Sequence, residues 1–117
     1  MHTNLNSVIV EGKIISITKY DDRCHFTVLT RRYYVREDKV FSEDSYFNVY
    51  AEGRLGEMMN EKLDTDKEVR VVGRLVNVQY VGNSCATVEI YAEHIEEKPG
   101  KPEPEEEEDA EDTEEET

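Results

Sequence analysis

At 117 residues the chain has room for one domain around one modest core. Its formal charge of -14 excludes a uniformly basic nucleic-acid binder, but the charge is uneven: residues 99–117 hold eleven acidic residues and one basic, leaving seventeen and thirteen for residues 1–98. The body is therefore only mildly acidic, and local patches decide what it binds.

Residues 7–18 are rich in β-branched side chains and apolar at both parities, with Val8, Val10 and Ile14 on one face and Ile9, Ile15 and Ile17 on the other. A strand apolar on both faces wants cover on both; one meets the barrel interior, the other is left for a second subunit. Residues 24–34 form a second strand with Cys24, Phe26 and Val28 on one face, and residues 35–44 a polar loop. Residues 45–51 alternate, which puts Phe47, Val49 and Ala51 inside and Tyr46, Asn48 and Tyr50 outside.

Over residues 54–63 the pattern changes, because Leu55, Met58, Met59 and Leu63 recur at helical spacing. The Met pair is ordinary core packing rather than a cofactor box. A turn at 64–67 leads into a strand at 68–80 with Val69, Val71 and Leu75 inward. A Gly-Asn turn signal at 81–84 precedes the last strand at 85–93, with Ala86, Val88, Ile90 and Ala92 inward. Residues 99–117 carry nothing apolar enough to offset the entropy of ordering, so they are expected to form a disordered acidic tail after a domain at 1–98.

Three strands, a helix and two strands is the order of an all-β, five-stranded OB-fold, a Greek-key barrel with one short helix between strands three and four. Gly12, Gly53 and Gly73 support closure, since two of them fall inside strands, where glycine marks a bulge or tight bend.

Aromatic residues are the informative class: seven tyrosines, three phenylalanines and no tryptophan. Tyr34 ends strand two, Tyr46 opens strand three and Tyr80 ends strand four, so Tyr34 and Tyr46 are expected to share one surface. Arg31, Arg32, Arg36 and Lys39 lie around them, with Arg54, Lys13 and Arg74 on other elements. Ring faces stack unpaired bases and basic side chains track phosphates. On spacing alone, tyrosine suits a plain strand surface equally well. Glu37, Asp38, Glu43 and Asp44 dilute the patch.

Cys24, His25, Cys85 and His94 lack the paired close spacing of a metal site. Two cysteines are too few for a disulfide framework, so both are expected as free thiols in a soluble, reducing, cytoplasmic setting with no membrane partner. Aspartates at 21–22 and 64–66 sit in turns. No nucleophile, base and orienting group come together, so neither an enzyme nor a cofactor is expected.

Several segments resemble the bacterial single-stranded DNA-binding proteins. Leu5-Asn6-Ser7-Val8-Ile9-Val10-Glu11-Gly12-Lys13-Ile14 looks like their opening strand, and Phe26-Thr27-Val28-Leu29-Thr30 like their second. Val49-Tyr50-Ala51-Glu52-Gly53-Arg54-Leu55-Gly56-Glu57 resembles their third strand and helix start, and Val71-Val72-Gly73-Arg74-Leu75 their fourth strand. The resemblance covers residues 5–96. It implies base stacking on Tyr34, Tyr46 and Tyr80, phosphate pairing by Arg31, Arg32, Arg36, Arg54 and Arg74, and a role in DNA replication, repair or recombination. It also implies a homotetramer of dimers paired through the first strand, with a dimer as second choice, and protein partners reached through the acidic tail.

Departures from the family pattern point to weaker, more salt-sensitive binding or a shorter site. Glu52 stands where an aromatic residue is usual, residues 76–79 are uncharged where relatives are basic, and the hairpin after Tyr80 is short. The tail ends Glu114-Glu115-Glu116-Thr117, without a hydrophobic anchor. The rival expectation is an OB-fold interaction module, of primosome type or otherwise, whose tail recruits partners.

Overall fold

The structure is a computed structural model that describes residues 1–82 and 84–99. Five strands and one helix follow in the expected order: β1 (Val8–Lys19), β2 (Arg23–Arg36), β3 (Lys39–Glu52), α1 (Gly53–Lys62), β4 (Glu68–Val78) and β5 (Thr87–Glu97). They close a barrel in the order β1-β2-β3-β5-β4. Neighbours are antiparallel except β3 and β5, whose short parallel seam pairs Val49 with Ile90 and Tyr50 with Tyr91. The expected acidic tail lies outside the described residues, apart from Pro99.

The core is built from alternate residues of each wall. Ile14, Cys24, Phe26, Val28, Val49, Ala51, Val69, Val71, Ile90 and Ile95 are buried, with Met59 and Leu63 of α1 and its C-cap closing one end. Burial of such apolar surface is the main force holding a small barrel together. Three close approaches require glycine, one of them at Gly73, where a Cβ would lie 2.3 Å from the Tyr91 carbonyl oxygen. A Cβ at Gly12 would lie 2.1 Å from the Leu29 carbonyl oxygen, and one at Gly56 would lie 2.5 Å from that of Ala51.

Several sequence expectations are corrected here. A bulge between Ile14 and Ser16 leaves Ile15 unpaired and reverses the parity, so Ile17 packs against the core instead of sharing the outer face with Ile9. Leu75 stands opposite Ile90 yet is 43% exposed, because β1 flanks β4 only as far as Gly73. Ala86 and Val88 are exposed where the last strand leaves the barrel wall, and β5 runs on to Glu97, which brings Ile95 into the core. Met58 is exposed beside the buried Met59. The Gly-Asn turn signal has Gly82 at φ 90°, while Asn83 lies outside the described residues.

The largest correction concerns residues 35–44, which are not a loop. β2 and β3 pair without a break from Arg23↔Glu52 to Arg36↔Lys39. Beyond Leu29 no third strand among the described residues flanks β2, so the hairpin leaves the barrel as a two-stranded arm. Having no buried face, the arm has no apolar alternation to betray it. Its turn residues Glu37 and Asp38 both have positive φ, 52° and 65°, the pattern of a two-residue I′ turn without the usual glycine.

Candidate nucleic-acid interface

Inward alternation fixes what faces out. With Phe26, Val49 and Ile90 inside, His25 on β2, Tyr50 on β3 and Tyr91 on β5 point outward. Register then lines them up: His25 stands opposite Tyr50, Tyr50 opposite Tyr91, and Tyr91 opposite Arg74 on β4. The result is one aromatic rung across four strands. Ring centroids are 4.0 Å apart for His25 and Tyr50 and 5.3 Å for Tyr50 and Tyr91, the latter stacked.

The rung has a cation near each end. Tyr20, in the β1–β2 connection, lies 5.4 Å from His25 and carries the Arg23 guanidinium over its ring at 4.4 Å. At the other end Arg74 lies over Tyr91 at 5.5 Å. Beside the rung Ser16, Thr18, Thr27 and Asn48 line a polar groove of about 220 Å³. Aromatic faces with flanking guanidiniums and adjacent hydrogen-bonding groups are what stacks and tracks an unpaired strand.

Beneath the rung lies a buried carboxylate. Glu89 is 2% exposed, and its oxygens accept hydrogen bonds from the Tyr80 hydroxyl at 2.8 and 2.9 Å and from Thr87 Oγ1 at 2.9 Å. The Tyr50 hydroxyl and the Asn48 amide also donate to it, and the Tyr50 and Tyr80 hydroxyls touch each other. Burial would raise the Glu89 carboxyl, but these donors outweigh it and hold it below the ordinary carboxylate value. Burial, and then the Glu89 carboxylate, push the Tyr50 phenol far above its usual range. Burial and the nearby Arg23 charge hold the His25 imidazole below its ordinary value.

The structure divides the residues expected from sequence. Tyr80 joins Tyr50 at the rung, and Tyr46 extends the same outward face along β3. Tyr34 does not share that surface. It stands opposite Phe41 and stacks on it at 5.6 Å, on the other face of the β2–β3 arm. The reason is parity: Tyr46 faces with Leu29, and Tyr34 is an odd number of residues from Leu29 along an unbroken strand.

The arginines divide too. Arg31 is held by Asp44 through two bonds of 2.7 and 3.0 Å, Arg32 approaches Glu43 and Arg74 approaches Glu93. Arg36 lies 5.8 Å over the Tyr34 ring, and neither it nor Arg54 has a carboxylate partner among the described residues. Glu52 faces outward opposite Arg23, close to His25. Sequence reasoning misses Tyr20, His25, Tyr91 and Glu89. It puts Tyr50 outside, but the signal that unites these residues is the β3–β5 register, which no local pattern carries.

No protein-family model and no curated protein sequence matches this chain. Solved structures do. The chain resembles the Plasmodium falciparum SSB in complex with ssDNA at a TM-score of 0.70 and 15% identity, covering 85% of this chain and 99% of that one. It resembles the small single-stranded DNA-binding protein of Streptomyces coelicolor at a TM-score of 0.69 and 20% identity, covering 83% and 96%. A deletion mutant of the Thermus aquaticus single-stranded DNA-binding protein matches at a TM-score of 0.71 and 22% identity, with 83% of this chain covering 52% of that one.

The architecture is thus an OB-fold barrel. In particular, its fold is similar to that of these solved single-stranded DNA-binding proteins. Among the described residues no helix is long and apolar enough to cross a membrane.

Proposed function

We propose that residues 1–98 bind single-stranded DNA with little sequence preference. The observation that carries this is the outward rung His25–Tyr50–Tyr91, flanked by Arg23 and Arg74. Bases stack along the rung and on Tyr80 and Tyr46, while guanidiniums neutralise the strand. The β2–β3 arm adds Tyr34, Phe41 and Arg36 as a second stacking patch on its other face, and Arg31 and Arg32 of the arm with Arg54 of α1 are further phosphate partners. Likeness in fold to proteins named for this activity supports the same reading. Titration of a labelled oligothymidine at low and high salt tests it. Binding that weakens steeply with salt is expected, and no binding at low salt sinks the proposal.

Such binding suits a protein that shields unpaired DNA in replication, repair or recombination. The exposed Ile9 and Ile15 on the outer side of β1 support pairing with a second copy, within a tetramer or a dimer. Native mass of the wild type and of Ile9→Glu tests this, with a smaller species expected for the variant. The acidic residues of 99–117 suit recruitment of basic partner proteins.

A protein-interaction module is the second reading, favoured by the ion pairs that occupy Arg31, Arg32 and Arg74. Unchanged DNA affinity in Tyr50→Ala and Tyr91→Ala would support it over DNA binding.

A further inference from the structure

The Glu89 cluster has a chemical consequence for which face of a base it can meet. An ionised carboxylate only accepts hydrogen bonds, and each phenol has a single proton to give. The Tyr80 hydroxyl lies 2.8 and 2.9 Å from the two carboxylate oxygens of Glu89, so its proton is committed there. The Tyr50 proton goes to Glu89 or to the Tyr80 oxygen. In either arrangement both protons stay inside the cluster. What the two phenolic oxygens offer outward is lone pairs, backed by a buried negative charge.

Phosphate oxygens are acceptors as well, and anionic, so they gain no bond here and are repelled. Amino groups on base edges are donors. Cytosine presents N4–H₂ and adenine N6–H₂, where thymine presents the O4 acceptor; thymine's one donor, N3–H, is recessed between O2 and O4, acceptors that the phenolic lone pairs and the buried charge repel. The rings on either side supply stacking to any base, so the choice among bases falls to this edge.

We propose that Glu89 is a specificity-determining positioning residue: by holding the hydroxyl protons of Tyr50 and Tyr80 inward, it makes this part of the face favour amino-bearing bases over thymine and keeps phosphates to the arginine-flanked margins. The proposal rests on the single-strand binding proposed above. It differs from general stacking in that it sets an order among bases. Glutamine at position 89 would erase the preference, since its amide donates to one phenolic oxygen and frees a hydroxyl proton to point outward.

The experiment compares labelled oligodeoxycytidine and oligothymidine of equal length on the full chain, for the wild type, Glu89→Gln and Tyr80→Phe. The quantity read is the ratio of the two affinities, which a general loss of binding does not move. One hydrogen bond gained or lost corresponds to about fivefold. A cytosine preference of about that size is expected in the wild type, falling towards one in both variants. Tyr80→Phe keeps the ring and the buried carboxylate's other donors, so it decides the matter if Glu89→Gln does not fold. A wild-type ratio of one, or a ratio unchanged in the folded variants, overturns the proposal while leaving single-strand binding intact. Absence of binding to either oligonucleotide overturns the binding reading and this proposal with it.

Discussion

Tyr50 and Tyr91 stand directly opposite each other where β3 and β5 meet in parallel, their stacked rings 5.3 Å apart. The seam that closes the barrel therefore also joins the two halves of the stacking surface. Closure and site are products of the same register.

Loss of either ring interrupts the rung at its centre. Tyr91→Ala is expected to lower single-strand affinity by about 1–3 kcal/mol, the usual worth of one stacked base. Tyr34→Ala, on the opposite face of the arm, should lower it by less. Fluorescence titration at fixed salt, with a thermal melt of each variant to confirm folding, checks the order. A larger loss for Tyr34→Ala would move the binding surface from the barrel to the arm.

His25 gives the site a pH dependence. Burial and Arg23 keep its imidazole neutral at physiological pH, with a folded-state pKa below the ordinary 6.5. Phosphates favour the protonated form, so affinity should rise as pH falls from about 7.5 to about 5. Stability moves the other way. The unfolded chain takes the proton first, so the stabilising contribution is complete above the unfolded value and is lost as pH falls through the lower folded one. Titrations and melts across this window, on the wild type and His25→Asn, check both slopes. Equal slopes in the two proteins would remove His25 from the account.

Much of the barrel is legible in the sequence because its walls alternate. Phe47, Val49 and Ala51 are inward as their parity demands, and the helical spacing of Leu55, Met59 and Leu63 marks the one element that plugs the end. What stays hidden has physical causes. The bulge after Ile14 turns Ile17 inward, and nothing in a run of β-branched residues announces it. The arm has no buried face, so its pattern resembles a loop. The rung joins residues far apart in sequence through pairings that exist only once the barrel closes, so Tyr50 is visible as an outward residue but not as the centre of a site.

Glycine sensitivity should differ sharply between two positions. At Gly12 an added methyl meets the Leu29 backbone at 2.1 Å, and two paired strands cannot both give way. Gly12→Ala is expected to cost about 3 kcal/mol or more, the upper end for overpacking. Gly53 has φ 64°, and a Cβ there would find nothing within 4 Å. Gly53→Ala therefore meets only the left-handed backbone cost of about 1–2 kcal/mol. Urea midpoints give the comparison. Similar losses at both sites would mean that the β1–β2 approach relaxes more easily than its geometry implies.

The turn of the arm offers a stabilising change. Glu37 and Asp38 both occupy the left-handed region, at φ 52° and 65°, and glutamate has no short side chain to ease that conformation. Asn-Gly is the pair best suited to such a turn. Replacing both residues, Glu37→Asn with Asp38→Gly, is expected to stabilise the arm by about 1–2 kcal/mol. The change appears as slower amide exchange between Val35 and Val40, since no third strand among the described residues protects this ribbon. It also removes two carboxylates near Arg36 and Lys39, so single-strand affinity at low salt should rise together with the protection. If exchange slows while affinity stays level, the arm is a structural extension and the strand runs along the barrel rung alone.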